Sequence, residues 1–296
     1  MTTITTTATT TPAAPPSSNG MSAVAPARRP VWRAALVTLA RRRLALSART
    51  PRELLLPLLN PLLFALVVVP ALADTLGGDI GGIDYMTYAA VSTVGLLIPL
   101  SCATAGLGVV VDRLGGAQRD LLAAPVPRSL IVAGNLVVAL LLSTLQLAVL
   151  MGAAALRGAE FDMRATGIVW FIAAAAAFAV AMYAVAETLA NRASTQEEYI
   201  GLLPAVAILP YFFAGSLFPI SALPAGLELI AKAMPLTHVL ALLRYGIVDP
   251  SGAGLHEIWG MDNTTAMAAL SLSVVAAFAM AMTVVATRVF SRAAVS

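Results

Sequence analysis

A chain of 296 residues that is 59% apolar and only 11% charged does not have the composition of a soluble domain, in which about 25% of residues are charged. Its 18 Lys plus Arg and 15 Asp plus Glu stand in gaps between apolar runs, so the slightly basic balance reads as membrane orientation and argues against nucleic acid as a partner. The single cysteine, Cys102 within an apolar run, excludes an intrachain disulfide and a cysteine-based metal site.

Residues 1–27 are rich in Thr, Ala, Pro and Ser and carry no charged side chain. They cannot build a core and are expected to be disordered. No basic segment precedes an apolar one, so they do not read as a signal peptide, and Met21 is a second candidate start. In residues 28–50, seven arginines surround an apolar stripe of Trp32, Leu36, Leu39 and Leu46, interrupted by Arg43. This pattern predicts a helix lying in the interface of an anionic leaflet; a plain basic tail is the alternative. Thr50-Pro51-Arg52-Glu53 fits a helix start, with Thr50 as cap, Pro51 in the first turn and Glu53 completing a capping box.

Six apolar runs follow, at about 54–73, 86–111, 130–156, 167–190, 199–218 and 265–288, within a membrane domain over 51–292. A run of about 20 apolar residues crosses a bilayer, so the expected fold class is all-α, a polytopic protein with six transmembrane helices. Pro57 and Pro61 predict kinks in the first span. Asn135 and Gln146 lie in the third. Glu187 stands near the end of the fourth, with Asn191 one turn on and Arg192 just beyond, and reads as part of a structural pair rather than a proton relay.

Between the second and third spans, DRLGGAQRDLLAAPVPR (112–128) places charges around the apolar pair Leu121-Leu122. Gly115-Gly116 breaks the chain before it and Pro125 ends it, which predicts an exposed helix of about two turns. After the fifth span, Pro219, Pro224 and Pro235 divide an apolar stretch into pieces too short to span. One opens at Pro224-Ala225-Gly226 and ends near Met234. The other opens at Pro235-Leu236-Thr237 and runs to about Tyr245. Two apolar half-helices of this kind predict a re-entrant hairpin, closed by Arg244 with Glu228 or main-chain carbonyls as its partners. The aromatics Tyr211, Phe212, Phe213 and Phe218 are candidates to line an apolar path, or ordinary lipid-facing and core residues.

Several chemistries lack their parts. The one lysine, Lys232, lies in Leu-Ile-Ala-Lys-Ala-Met and is not the lysine of a phosphate-binding loop. His256-Glu257-Ile258-Trp259-Gly260 lacks the second histidine of a zinc site. Gly215-Ser216 with His238 nearby shows no oxyanion hole for a serine hydrolase. Asn263-Thr264-Thr265 is a glycosylation sequon by letters alone. No enzymatic activity and no bound cofactor are expected.

Two stretches resemble the permease subunits of ABC-2 type transporters, of the daunorubicin-resistance exporter type. In the first, Gly215-Ser216, Phe218-Pro219, Leu223-Pro224, Pro235-Leu236-Thr237 and Arg244 stand where the family has them. In the second, Asp112-Arg113, Gly115, Asp120, Leu121 and Pro125 match, while Gly116 replaces the usual Thr and puts the helix cap in doubt. RTPRELLLPLLNPLLFAL also resembles the family's first span. The resemblance implies a cytoplasmic coupling helix, built from Asp112, Arg113, Gly115, Arg119, Asp120, Leu121 and Leu122, that contacts a separate ATPase subunit. It implies an extracellular re-entrant hairpin between spans five and six. It further implies a homodimer of permeases with two ATPase subunits, which bind the ATP and magnesium, in a cell membrane of bacterial type. The cargo would be an amphipathic drug, antibiotic or lipid, as in multidrug efflux and antibiotic resistance. Export of a lipid-linked glycan is the alternative within the family, and an ion-coupled secondary transporter the alternative outside it.

With both termini cytoplasmic, fourteen Lys and Arg fall inside and four outside, as the positive-inside rule requires. An exterior-active reporter should therefore be active when fused after residue 80 and silent after residue 296. Activity at 296, or silence at 80, overturns the six-span arrangement.

Overall fold

Apolar runs buried in hydrocarbon must close every backbone N–H and C=O among themselves, and a helix does this within one segment. The computed structural model describes residues 32–49, 59, 63–76, 79–80, 82–123 and 127–293, and helix accounts for most of them. Helix α1 is Trp32–Arg49; a π turn at Phe64–Val68 leads into α2, Val69–Leu76. Strands β1 (Asp79–Ile80) and β2 (Ile83–Asp84) pair antiparallel as a minimal hairpin. Then come α3 (Tyr85–Leu114), α4 (Ala117–Ala123), α5 (Arg128–Leu156) and α6 (Ala165–Ala190). Next are α7 (Gln196–Leu203), a π turn (Pro204–Ile208), α8 (Leu209–Phe213), α9 (Ala225–Ala233), α10 (Pro235–Ile247), α11 (Ala253–Trp259) and α12 (Thr264–Ala293).

Among the described residues, four helices are long and apolar enough to cross a membrane singly, at Tyr85–Leu114, Ser129–Leu156, Ala165–Ala190 and Thr264–Arg292; α9 and α10 qualify only as a pair bent by 78°. The four match the expected second, third, fourth and sixth spans. Of the expected first span, residues 54–58 and 60–62, with Pro57 and Pro61, lie outside the described residues, as do the tail at 1–27, the helix start at Thr50-Pro51-Arg52-Glu53 and Pro125. The side chains of Leu46, Asp120 and Leu122 lie outside them too. The segment expected as the fifth span is one helical run from Gln196 to Phe213, re-pitched by the π turn at Pro204, and is not among those crossing helices. Proline has no N–H to give and its ring crowds the carbonyl four residues back, and a local widening of the helix absorbs both. The run ends before Phe218 because Gly215 adopts a left-handed φ of 77°.

Polar caps fix where helices begin. The Asp84 carboxylate accepts from the Thr87 N–H at 3.0 Å and starts α3. At α7, Thr195 accepts from the Glu198 N–H at 3.2 Å while the Glu198 carboxylate accepts at 2.6 Å from the N–H of Ser194, the residue before the cap.

Helix α6 is the hub, packed on α3, α10 and α12. Its run of alanines, with Phe178 and Tyr183 reaching into the core, lets neighbouring backbones come close, the usual device where lipid supplies no hydrophobic drive between helices. The nearest approach is at Gly167 and Gly246, where a side chain on Gly167 would overlap the Gly246 carbonyl oxygen. Helix α1 packs against α5, with Leu39 over Gly134. Within α1 Trp32 is exposed, whereas Arg43, expected to interrupt the apolar face, is buried. Gly108 of α3 lacks a side chain and leaves the space that the Arg43 guanidinium fills.

Gly167→Ala should therefore push α6 and α10 apart and cost about 1–3 kcal/mol, as overpacking does. Gly152, with nothing within 4 Å of an added methyl, should tolerate Ala or gain up to about 1 kcal/mol of helix propensity. Thermal unfolding of the two variants in detergent distinguishes them.

Candidate functional site

The loop at the end of α3 forms as the sequence predicts, with a two-turn helix, α4, at Ala117–Ala123. The Gly115 N–H closes α3 on the Val111 carbonyl at 2.9 Å. Gly116 then turns the chain at φ 81°, a conformation that β-branched threonine adopts only under strain. The glycine thus replaces a side-chain cap with a backbone turn, and the Gly116 carbonyl accepts from the Arg119 N–H at 3.0 Å.

The charged pair at the root of this loop is occupied within the chain. Asp112 accepts from Arg43 Nη1 at 2.9 Å and lies 3.8 Å from Arg42. Arg43 also donates to the carbonyls of Ala105 at 3.1 Å and Gly108 at 3.3 Å. Arg113 donates to the Ala193 carbonyl in the turn between α6 and α7. Asp112 and Arg113 therefore tie the root of the loop to α1 and to the start of the fifth span. Arg119 stays exposed and Leu121 half-buried on α4.

Just inside this end lies a buried polar layer. The Glu187 carboxylate accepts from the Tyr183 hydroxyl at 2.6 Å and from Asn191 Nδ2 at 3.1 Å. Arg192 is exposed; the pairing is with Asn191, which lies one helical turn from Glu187. The Tyr199 hydroxyl donates to the Ala103 carbonyl at 2.8 Å, in space left by Gly106. Ser101 and Gln146 join α3 to α5.

At the opposite end, the fifth span turns at Gly215, with the Ser216 hydroxyl donating to the Tyr211 carbonyl at 2.6 Å. Pro219 precedes a short 3-10 turn at Ile220–Ala222, and Pro224 precedes α9. Met234 is extended, and Pro235 opens α10. Both half-helices fall where their prolines place them. The limbs differ in burial. Helix α10, with Thr237, is almost wholly buried, whereas Leu229 and Ile230 of α9 are exposed.

Arg244 is the knot of this end. Its guanidinium donates to Ser92 Oγ at 2.7 Å and to the Gly215 carbonyl, and lies 3.8 Å above the Tyr88 ring. The Tyr88 hydroxyl donates to the same carbonyl at 2.9 Å. Of its two expected partners, the main-chain carbonyl is found. Glu228 pairs instead with Lys232 at 2.8 Å, because both stand one turn apart on α9, the other limb. Glu257 of α11 holds the elbow from outside, accepting from the Ile220 N–H at 3.2 Å and Ser221 Oγ at 3.0 Å. Tyr88, Ser92 and Glu257 escaped sequence reading. Tyr88 and Ser92 are polar residues one turn apart in an apolar span, which is a signal, but their partner is 152 positions on from Ser92.

The aromatic run is not one lining: Tyr211 is in the core, Phe212 points outward at 48% exposure, and Phe213 and Phe218 are half-buried. Neighbouring helix positions face different directions, so only residues three or four apart share a face. Ser216 and His238 do not meet either, since His238 Nδ1 faces Ser271 Oγ at 3.1 Å.

Arg244→Lys keeps the charge but loses the planar guanidinium whose Nη2 reaches Ser92 and Gly215 while its face covers Tyr88. It should lower stability by about 1.5–3 kcal/mol, the range for a hydrogen bond to a charged group. Lys232→Met breaks a half-exposed pair worth below about 0.5 kcal/mol. Comparison of their melting temperatures tests whether the knot carries the hairpin.

A family model described as ABC-2 type transporter matches residues 34–248. The match runs from α1 through α10 and so covers both the connecting loop and the bent hairpin. A search of the curated proteins returned no match. With most of its length under that family model, the chain belongs to the ABC-2 type transporter family, as a multi-pass membrane permease.

Proposed function

We propose that the chain is the membrane half of an ATP-driven exporter of the daunorubicin-resistance type, moving an amphipathic drug, antibiotic or lipid out of the cell. ABC-2 permease domains pair with an ABC ATPase subunit. Two permeases and two ATPases would form the working complex, with ATP and magnesium on the ATPases. The observation that carries this reading is α4: a short helix displayed beyond α3, its root tied down, its Arg119 exposed and its Leu121 half-buried. In this reading that end is cytoplasmic, as are both termini.

The route for motion is covalent and polar. Closure of the two ATPases displaces α4. Asp112 passes the displacement to α1 through Arg43, and Arg113 passes it to the turn before α7. Helix α3 carries it along its length to Tyr88 and Ser92, which hold Arg244 and the Gly215 elbow. The hairpin end then moves with the motor end, although no residue touches both. The few charges inside the bundle favour an amphipathic cargo over a polar one.

A half-buried Leu121 is expensive for a plain connector. Docking it into a groove on the ATPase stabilises the contact by about 1.5–3 kcal/mol, and an Asp there loses that burial and desolvates a charge. Leu121→Asp should insert and accumulate normally, yet lose the ATPase on co-purification and abolish export. Arg119→Ala, at the rim, should give a milder defect that changes with salt. Pull-down of the ATPase alongside drug accumulation in cells measures both. Wild-type association and export from Leu121→Asp would reduce the loop to a connector.

A further inference from the structure

Pro99, Phe178 and Phe278 stand near the mid-points of α3, α6 and α12. All three line one cavity of about 350 Å³, closed on another side by Met234 and Pro235 at the bend of the hairpin. The bend therefore reaches the middle of the bundle. The volume falls in the range of about 300–1,000 Å³ typical of small-molecule sites. Yet every lining side chain is apolar, so a headgroup, an ion or water would find no partner there.

The cavity also has a side that faces out. The fifth-span run packs on α3, and α12 packs on α6. Between the two packed pairs the wall is made by half-buried side chains, Pro210 and Val206 on one edge and Met282 on the other. At the depth of Pro99 a bilayer offers only hydrocarbon to such an opening. An empty void would forfeit the dispersion contacts of its whole lining.

We propose that this cavity holds one acyl chain of a membrane phospholipid, which enters between Pro210 and Met282 and lies against the hairpin bend. Methionine and proline walls suit a flexible chain without demanding one shape. The headgroup stays outside, so recognition is by hydrocarbon and not by charge.

The test uses the full chain in phosphatidylcholine vesicles whose acyl chain carries a diazirine at mid-length, with adducts mapped by mass spectrometry after irradiation. Met182 lines the cavity and is buried, whereas Met280 faces outward on α12. The proposal expects adducts at both. Filling the cavity with Ala207→Trp, or with Val206→Phe should the first variant not accumulate, should reduce labelling at Met182 by about tenfold or more, since no apolar surface is left for a chain to cover. Labelling at Met280 should stay unchanged. Absence of adducts at Met182 in the wild-type chain overturns the proposal, as does undiminished labelling in a filled variant. If an amphipathic dye in excess clears Met182 while unlabelled phosphatidylcholine does not, the occupant is cargo and the lipid assignment falls.

Discussion

The carbonyl oxygen of Gly215 has no helical partner, and at the end of a span that is a debt the fold must settle. It is met twice, by the Arg244 guanidinium and by the Tyr88 hydroxyl. The two donors come from different parts of the chain, α3 and the second limb of the hairpin. One main-chain oxygen therefore holds three segments at a point. The same need explains why a full charge is tolerated there: Arg244 donates from Nη2 to Ser92 and Gly215 and lays its face over the Tyr88 ring, which leaves the buried Nε without a partner.

The other end is organised around a second arginine, with a different solution. Arg43 has a carboxylate, Asp112, and two carbonyls from the last turns of α3. Helix α1, expected in the interface, is pinned to the bundle through a gap left by Gly108. A buried pair of this kind adds little net stability after its desolvation cost, but breaking it leaves an uncompensated charge. It fixes where α1 and the loop root stand relative to one another.

Much of the fold was legible because proline and glycine act locally. Pro224 and Pro235 set the starts of α9 and α10, and Gly115-Gly116 set the break before α4, each through the residue's own backbone chemistry. Burial is not local, and there the sequence said less. Arg43 reads as one more interfacial arginine until Gly108 is beside it. Glu228 looks a fair partner for Arg244 until the 78° bend separates their limbs. The fifth span reads as one helix because its hydropathy is continuous, and only the geometry around Pro204 shows the change of pitch. Periodicity reports which side of a helix is apolar, not which apolar neighbour will cover it.

The bare contact of Gly167 with Gly246 has a consequence for how such a protein can vary. With no side chain between α6 and α10, that limb of the hairpin is effectively part of the bundle wall, and a heavier residue at either position needs a simultaneous rearrangement of two backbones. Helix α9, with Leu229 and Ile230 facing outward, bears no such condition. Substitutions and insertions on that arm meet no backbone contact of this kind, so its surface can change without disturbing the packing beneath it.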